Sequence, residues 1–429
     1  MRTWGFIGLF LSLLFVRQGA AVDFVQQARL TASDAAAGDG FGGEVALSAD
    51  GTIALISAAG ADCGAGLDCG AAYVFVRTEA GWHQQVKLTA SDPTPGSQFG
   101  FGLALSGDGS TALVRARSTD CLDSPDCAVV HVFRRIAGSW SQQARLRTSG
   151  GFWSHGLGLM ALAGDGRTAL VGSPLSCEGS NCGIVHVFVR EGESWSEEAR
   201  LKGSATFFFG NSVALSKDGL MALAGALEGL DPTTAVFSYV KRGGVWTREQ
   251  ELTTGFQNQS ESQFGAVSLS GDGGTALLST PEDGCTHDLE NPDENSFCGS
   301  VRVFSRAGGA WTPRQVLKVT RSQGSSFLGG RTAISGSGAL ALVLGVRSAF
   351  FLRGAGTWIL GQQVAGDTSA SVSEDGHTVL TGCACGVVYV YTLAPALAEV
   401  PALGGPGLIL LALLLAATGA VALRRRLAA

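Results

Sequence analysis

The chain has 429 residues, a formal net charge of −6 and only 15% charged side chains. It has no excess of basic residues with which to neutralise phosphates, which argues against nucleic-acid binding. Glycine is abundant, with 62 residues, whereas proline contributes only 11. Many glycines and few helix signals favour strands and tight turns, so the composition predicts an all-β fold.

The first 21 residues have the pattern of a secretory signal peptide. Arg2 supplies a positive start, Phe6 to Val16 form a short apolar run, and small residues end the segment at Ala21. The apolar run is too short to span a bilayer comfortably. We therefore predict cleavage after Ala21 and export of the mature chain, with an uncleaved N-terminal anchor as the alternative.

Residues 22–395 contain a repeat of about 53 residues that occurs seven times. Each unit has an apolar strand a, an Asp-Gly turn, a strand b, a variable loop, a strand c and a strand d that begins at a Trp. An Asp-Gly pair is typical of a two-residue hairpin turn with positive φ at both positions, so strands a and b should pair. The turns are Asp50-Gly51, Asp108-Gly109, Asp165-Gly166, Asp218-Gly219, Asp272-Gly273 and Asp375-Gly376, with Ser337-Gly338 in one further unit.

The strand count predicts how the repeats close. Strands a, b and c occur seven times, but a Trp-led strand d follows only six of them. Residues 26–34 are nearly the same as residues 84–92, which belong to a strand d. The chain therefore starts with a spare strand d and ends lacking one. We predict a seven-bladed β-propeller of four-stranded antiparallel blades, closed by the N-terminal strand completing the last blade.

The pairs that open strand a resemble those of FG-GAP repeats, the units of the integrin α-chain propeller. They are Phe41-Gly42, Phe99-Gly100, Phe209-Gly210 and Phe264-Gly265. The second half of the motif is closest at residues 172–174 and 225–227. The resemblance spans roughly residues 24–393 and implies the propeller fold, whereas a fold does not dictate function.

Ten cysteines in an exported chain should be oxidised. They fall in five close pairs: Cys63 with Cys69, Cys121 with Cys127, Cys177 with Cys182, Cys285 with Cys298, and Cys383 with Cys385. Because the pairs recur at one place in the repeat, we predict local disulfides, with zinc disfavoured by the lack of any CxxC spacing. The last pair would close a very small ring, so its cysteines are either bonded or free.

The sequence predicts no cofactor. Calcium is the metal ion for which it offers candidate ligands. The FG-GAP resemblance implies calcium loops of the Asp-x-Asp-x-Asp-Gly type, but each turn here keeps one carboxylate, so we interpret them as hairpin turns. The loop between Cys285 and Cys298 is richer in acids. Its weak calcium candidates are Asp283, Asp288, Glu290 and Asp293, although a charge run is usually a solvated surface.

The sequence contains no catalytic signature, so we predict that the protein is not an enzyme. A Gly-x-Gly-x-x-Gly match at residues 38–43 enters a strand rather than a helix, which excludes a phosphate loop. His131 and His186 occupy equivalent strand positions, so both should have packing roles. The same reasoning assigns the six repeated Trp residues to packing between blades. Strand a carries few charges; only Glu44 and Arg331 lie near it.

The C-terminal end is predicted to be a membrane anchor. Residues 396–403 form a linker, residues 404–423 are long and apolar enough to cross the hydrocarbon core, and residues 424–429 carry Arg424 to Arg426 on the cytoplasmic side. The tail resembles bacterial sorting signals of the IPTL-CTERM type, with Val-Pro-Ala-Leu at 400–403. That resemblance implies a sorting protease as a partner, and a plain retained anchor is the alternative.

These features predict an exported, membrane-tethered or surface-sorted module that binds an extracellular protein or glycan. The b–c and d–a connections should share one face, where variable loops on a rigid scaffold are suited to recognition. A structural envelope or matrix protein without a discrete ligand is the first alternative, and a polysaccharide-acting enzyme is the second.

Overall fold

The computed structural model describes residues 23–118, 127–147, 160–178, 181–203, 206–228, 234–253, 266–281, 299–318, 328–365 and 367–394. These residues form 28 strands in seven four-stranded antiparallel sheets, which confirms the all-β propeller of seven blades. Within the same ranges, no helix has the length and apolarity needed to cross a membrane. The predicted signal peptide with Ala21 and the predicted segments from 396 to 429 lie outside the described residues.

Each blade runs from an inner strand a to an outer strand d. The a strands are β2 Val45–Leu47, β6 Gly102–Leu105, β10 Met160–Leu162, β14 Thr206–Leu215, β18 Val267–Leu269, β22 Arg331–Ile334 and β26 Ser369–Val372. The b strands are β3 Ile53–Ala58, β7 Thr111–Ser118, β11 Thr168–Glu178, β15 Met221–Glu228, β19 Thr275–Thr280, β23 Leu340–Leu344 and β27 Thr378–Gly382. The c strands are β4 Ala71–Thr78, β8 Cys127–Ile136, β12 Asn181–Glu191, β16 Thr234–Arg242, β20 Ser300–Ala307, β24 Arg347–Gly354 and β28 Val388–Leu393. The d strands are β1 Phe24–Leu30, β5 Gly81–Leu88, β9 Ser139–Arg147, β13 Ser194–Leu201, β17 Val245–Thr253, β21 Ala310–Leu317 and β25 Thr357–Ala365.

The blades form a closed ring around a central channel. Each a strand contacts the a strand of the next blade, and β26 of the last blade contacts β2 of the first. The hydrophobic core lies between blades, because every buried cluster combines side chains of two neighbours. Strands b and c, which are apolar on both faces, supply most of it, as expected for sheets covered on both sides.

The predicted closure is confirmed by the pairing of β1 with β28. Phe24 lies opposite Leu393 and Leu30 lies opposite Val388, so the N-terminal strand is the outermost strand of the last blade. Phe24 is 3% exposed, and its ring stacks on Phe350 of the preceding blade with centroids 4.4 Å apart. β1 therefore completes the sheet of the last blade and packs that blade against the blade before it.

Where the structure describes them, at Phe41-Gly42, Phe99-Gly100 and Phe209-Gly210, the Phe-Gly pairs join a blade to the preceding one. Phe99 is fully buried, and its N–H donates to the carbonyl of Cys69 in the first blade. Gly100 follows with φ of +99°, and a Cβ there would lie 2.6 Å from the carbonyl oxygen of Ala71. Only glycine tolerates both this dihedral and this approach. The motif is therefore explained by packing between blades.

The a–b turns differ from the predicted geometry. The Asp-Gly glycines have positive φ, such as +69° at Gly51, but the aspartates before them do not. Ser48 closes the loop by donating its N–H to the carbonyl of Ile53, so five residues, 48–52, rather than two connect the strands. The prediction of positive φ at both positions was wrong. That geometry occurs in the c–d turns instead, at Ala137-Gly138 with 48° and 84° and at Gly243-Gly244 with 57° and 83°.

Candidate functional site

The two faces of the ring are built differently. We call the side with the a–b and c–d turns the turn face and the side with the b–c and d–a connections the loop face. On the turn face, Ser48 Oγ donates to Asp50 Oδ1 at 2.6 Å and accepts the N–H of Ile53 at 2.9 Å. The same serine–aspartate bond recurs in four other blades, at Ser106–Asp108, Ser216–Asp218, Ser270–Asp272 and Ser373–Asp375. These carboxylates therefore stabilise the a–b turns by accepting hydrogen bonds within them.

Hydrogen bonding also sets the protonation of these carboxyls. Burial raises the pKa of Asp50, but hydrogen bonds from Ser48 and Thr52 outweigh it and leave the pKa below its ordinary value. The pKa of Asp108 and that of Asp375 are lowered in the same way. Carboxylates held ionised by their own turns stabilise the hairpins directly.

The turns meet around the channel and narrow its exit. Backbone hydrogen bonds join neighbouring turns, for example from Ala49 N–H to the Gly107 carbonyl and from Glu374 N–H to the Ala49 carbonyl. Lys217 of the fourth blade lies across this exit, with Nζ 2.6 Å from both carboxylate oxygens of Glu374 of the seventh blade. A bowl of about 860 Å³ lies at this exit and includes both side chains in its lining.

The loop face carries the one fully described long b–c connection, residues 59–70. Cys63 and Cys69 are joined by a disulfide with a Cα separation of 5.8 Å. The loop packs on the next blade, because the Gly96 N–H donates to the Leu67 carbonyl and the Gln98 N–H donates to the Asp68 carbonyl. The side chain of Leu67 nevertheless remains 69% exposed. The loop thus presents an apolar side chain from a fixed backbone.

The other cysteine pairs are described to different extents. The structure also places a disulfide between Cys383 and Cys385, with a Cα separation of 5.1 Å. Cys177 and Cys182 lie directly opposite each other across β11 and β12. Cys121, Cys285 and Cys298 lie outside the described residues, so the predicted pairs of Cys121 with Cys127 and of Cys285 with Cys298 stay predictions.

A charged cluster lies where the channel opens to the loop face. Arg331, the first residue of β22, forms a two-pronged ion pair with Glu44, with both oxygen–nitrogen distances at 2.5 Å. Arg115 of β7 is only 4% exposed, and its guanidinium lies 4.7 Å from the ring centroid of Phe101. Sequence reasoning identified Glu44 and Arg331 but missed Arg115, although a charge inside a strand b is the signal that reveals it.

The repeated histidines and tryptophans pack as predicted. His131 is buried beside Phe99, and burial lowers its pKa more than a hydrogen bond with Gln142 raises it. His186 is buried and contacts Glu197, with Nδ1 2.7 Å from Oε1. The tryptophans Trp82, Trp140, Trp195, Trp246, Trp311 and Trp358 all pack against clusters formed between blades.

The calcium candidates Asp283, Asp288, Glu290 and Asp293 lie outside the described residues. In the ranges that the structure does describe, no group of three or more His, Cys, Asp or Glu side chains is arranged to hold a metal ion.

Comparison with known proteins gives a family match for two repeats. The matched model is the FG-GAP repeat. It covers residues 24–75 and 82–133, each of which runs from a strand d into the strand c of the next blade. No curated protein sequence matches the chain.

Among solved structures, hydrazine synthase of Kuenenia stuttgartiensis is similar, with a TM-score of 0.56 and 14% sequence identity. The alignment covers 87% of this chain and 99% of that one. At this identity the likeness concerns the fold alone. The FG-GAP match and the closed ring therefore agree on the architecture.

Proposed function

We propose that the protein is an exported, membrane-tethered binding module that engages an extracellular protein or glycan through its loop face. The single observation that carries this proposal is the difference between the two faces. The turn face repeats one serine–aspartate network in five blades. On the loop face, the b–c connections that the structure describes in full differ from one another, because they span residues 59–70, 345–346 and 383–387. FG-GAP propellers are typical of binding or adhesion modules, which supports the same conclusion.

The stapled loop at residues 59–70 is the best-defined part of the proposed binding surface. Its disulfide and its hydrogen bonds to the second blade hold the backbone before any partner arrives, which lowers the entropic cost of binding. Exposed Leu67 offers an apolar contact of the kind that partners bury at the centre of an interface.

The binding proposal is tested with the full chain, purified in detergent and applied to glycan and protein arrays. For any ligand found, Leu67→Asp should weaken binding by about 10-fold or more, the effect of removing a central apolar contact. Val245→Asp is the matched control, because Val245 is 62% exposed but lies beside a c–d turn on the opposite face. Equal loss in both variants would contradict the assignment of the ligand to the loop face.

The same arrays separate the alternatives. Absence of any retained protein or glycan would favour a structural envelope or matrix component. Turnover of a polysaccharide panel by the purified chain would favour an enzyme instead.

The membrane tether is part of the proposal and has its own test. Residues 404–423 are uncharged and apolar, and Arg424 to Arg426 follow them. The full chain should stay with membranes through an alkaline carbonate wash, whereas a chain that ends at residue 403 should be released. A shortened mature mass at the C-terminus would instead support removal by a sorting protease.

A further inference from the structure

The last described strand ends on the turn face. β28 runs toward this face, because the N–H of Leu393 donates to the carbonyl of His377 in the a–b turn of the same blade. The N–H of Ala394 then donates to the carbonyl of Asp23, so both ends of the described chain meet at this place. The chain therefore leaves the propeller from the turn face, at the seventh blade.

The linker to the predicted anchor is short compared with the propeller. Residues 395–403 are nine residues, which reach about 30 Å when fully extended. A blade is about 25 Å tall, since β4 has eight residues and a strand rises about 3.3 Å per residue. For the loop face to touch the bilayer, almost the whole linker would have to run back along the blade. The turn face is therefore the face that this linker holds nearer to a membrane.

Exposed apolar side chains lie on the turn face in the blades nearest this exit. We call them the turn-face arc: Val25 at the start of β1 in the seventh blade, Ile359 beside the c–d turn of the sixth, and Leu220 and Val245 in the fourth. Single exposed apolar residues are common on protein surfaces. These four, however, share one face and one stretch of the ring, and the chain leaves from the same stretch.

The c–d connections of this stretch also differ in charge from those opposite. In the fourth, fifth and sixth blades, residues 243–244, 308–309 and 355–356 include no acid, and an arginine lies within two residues before each. The first and third blades have Glu79 and Glu193 in their connections, and exposed Ile136 of the second blade lies between them. An apolar side chain beside an arginine suits the headgroup region of a bilayer, where a carboxylate would lose hydration.

We propose that the turn-face arc lies on the surface of the bilayer, with Val245 and Ile359 in the headgroup region and the loop face directed away from the membrane. This inference rests on the proposed membrane tether and adds to it the orientation of the propeller. It also gives a physical reason for recognition on the loop face, because that face is held about 25 Å farther from the lipids.

The orientation is tested with the full chain in phosphatidylcholine vesicles that carry an energy-transfer acceptor on their headgroups. The variants Ile359→p-acetylphenylalanine and Val346→p-acetylphenylalanine each take a fluorescent donor without involving cysteines. They are a matched pair, because both residues belong to the sixth blade and are 60% and 61% exposed, but Val346 lies in a b–c connection on the loop face. The donor at 359 should lie about 25 Å closer to the acceptors. Equal distances, or a shorter distance at 346, would overturn the orientation.

A second comparison tests the contact with lipid. With a donor placed at Leu220, the double variant Val245→Asp/Ile359→Asp should show less energy transfer, because the added carboxylates avoid the headgroup region. The double variant Leu67→Asp/Val346→Asp adds the same two charges to the loop face and should leave the transfer unchanged. No loss of transfer in the first variant, or an equal loss in both, would overturn the contact.

An alkaline carbonate wash of the same vesicles separates this inference from the tether on which it rests. Release of the unaltered chain by the wash would refute the tether and the orientation together. A chain that resists the wash but shows equal transfer from positions 359 and 346 would refute the orientation alone.

Discussion

Truncation of Phe24 to alanine tests whether the first strand carries the closure of the ring. Phe24 is 3% exposed, stacks on Phe350, and donates its backbone N–H to Gln362 Oε1 at 2.8 Å. A buried phenylalanine covers roughly 150–250 Å², which at about 25 cal/mol per Å² corresponds to at most ~4–6 kcal/mol. Measured truncations of buried phenylalanines cost about 3–5 kcal/mol, so we expect Phe24→Ala to lower the free energy of unfolding by that amount.

The measurement is equilibrium unfolding in urea, followed by tryptophan fluorescence. Val25→Ala is the control, because Val25 belongs to the same strand, pairs with the same partner strand and is 46% exposed. It should change the unfolding free energy by less than about 0.5 kcal/mol. Values for the two variants within about 1 kcal/mol of each other would refute the reasoning, because they would mean that Phe24 is not buried between the blades.

Three further predictions concern the glycines, the turns and the channel exit. Gly42→Ala should lower the free energy of unfolding by at least about 1 kcal/mol more than Gly38→Ala does. Both glycines have positive φ, but only at Gly42 would an added Cβ approach a backbone atom, the carbonyl oxygen of Val387, at 2.9 Å. Similar losses in urea would contradict the close approach. Because the pKa of Asp50 is lowered in the folded state, its contribution to the free energy of unfolding is present above about pH 4 and is lost as the pH falls through the folded-state pKa. The difference in unfolding free energy between Asp50→Asn and the unaltered chain should therefore shrink between about pH 5 and pH 2. A difference that stays constant over this range would argue against the prediction. A double-mutant cycle on Lys217 and Glu374 should give a coupling below about 1 kcal/mol that falls with added salt, because both side chains are more than one-third exposed; a larger, salt-independent coupling would refute this.

The repeat made the fold predictable from sequence. The chain starts with a spare strand d and ends with a blade that lacks one. In a closed ring the spare strand can fill that missing place, which predicted the pairing of β1 with β28. The turn geometry was not predictable in the same way. Asp-Gly is compatible with several turns, and the serine two residues before the aspartate decides between them by bonding across the loop, as Ser48 does with Ile53.

The charged cluster in the channel was predictable only in part. Glu44 and Arg331 stand out beside strand a, but their approach depends on how the ring curves, which no local pattern encodes. Arg115 lies in an apolar strand b and is visible as an exception once strands a and b are aligned by their hydrogen bonds. In a repeat protein, departures from the shared pattern are thus the more informative positions for function, and the shared positions explain packing.

The pairing of β1 with β28 also determines when the propeller can be completed during synthesis. The ribosome makes β1 first and its partner last, so the nascent chain carries an unmatched strand through the whole of translation. Until β28 emerges, the inner hairpin of the seventh blade and the N-terminal strand both present open hydrogen-bonding edges, the kind of edge that recruits other chains. A chaperone that shields strand edges would therefore act on this protein from its first strand until its last, and chains that stall before residue 388 should be the ones that aggregate.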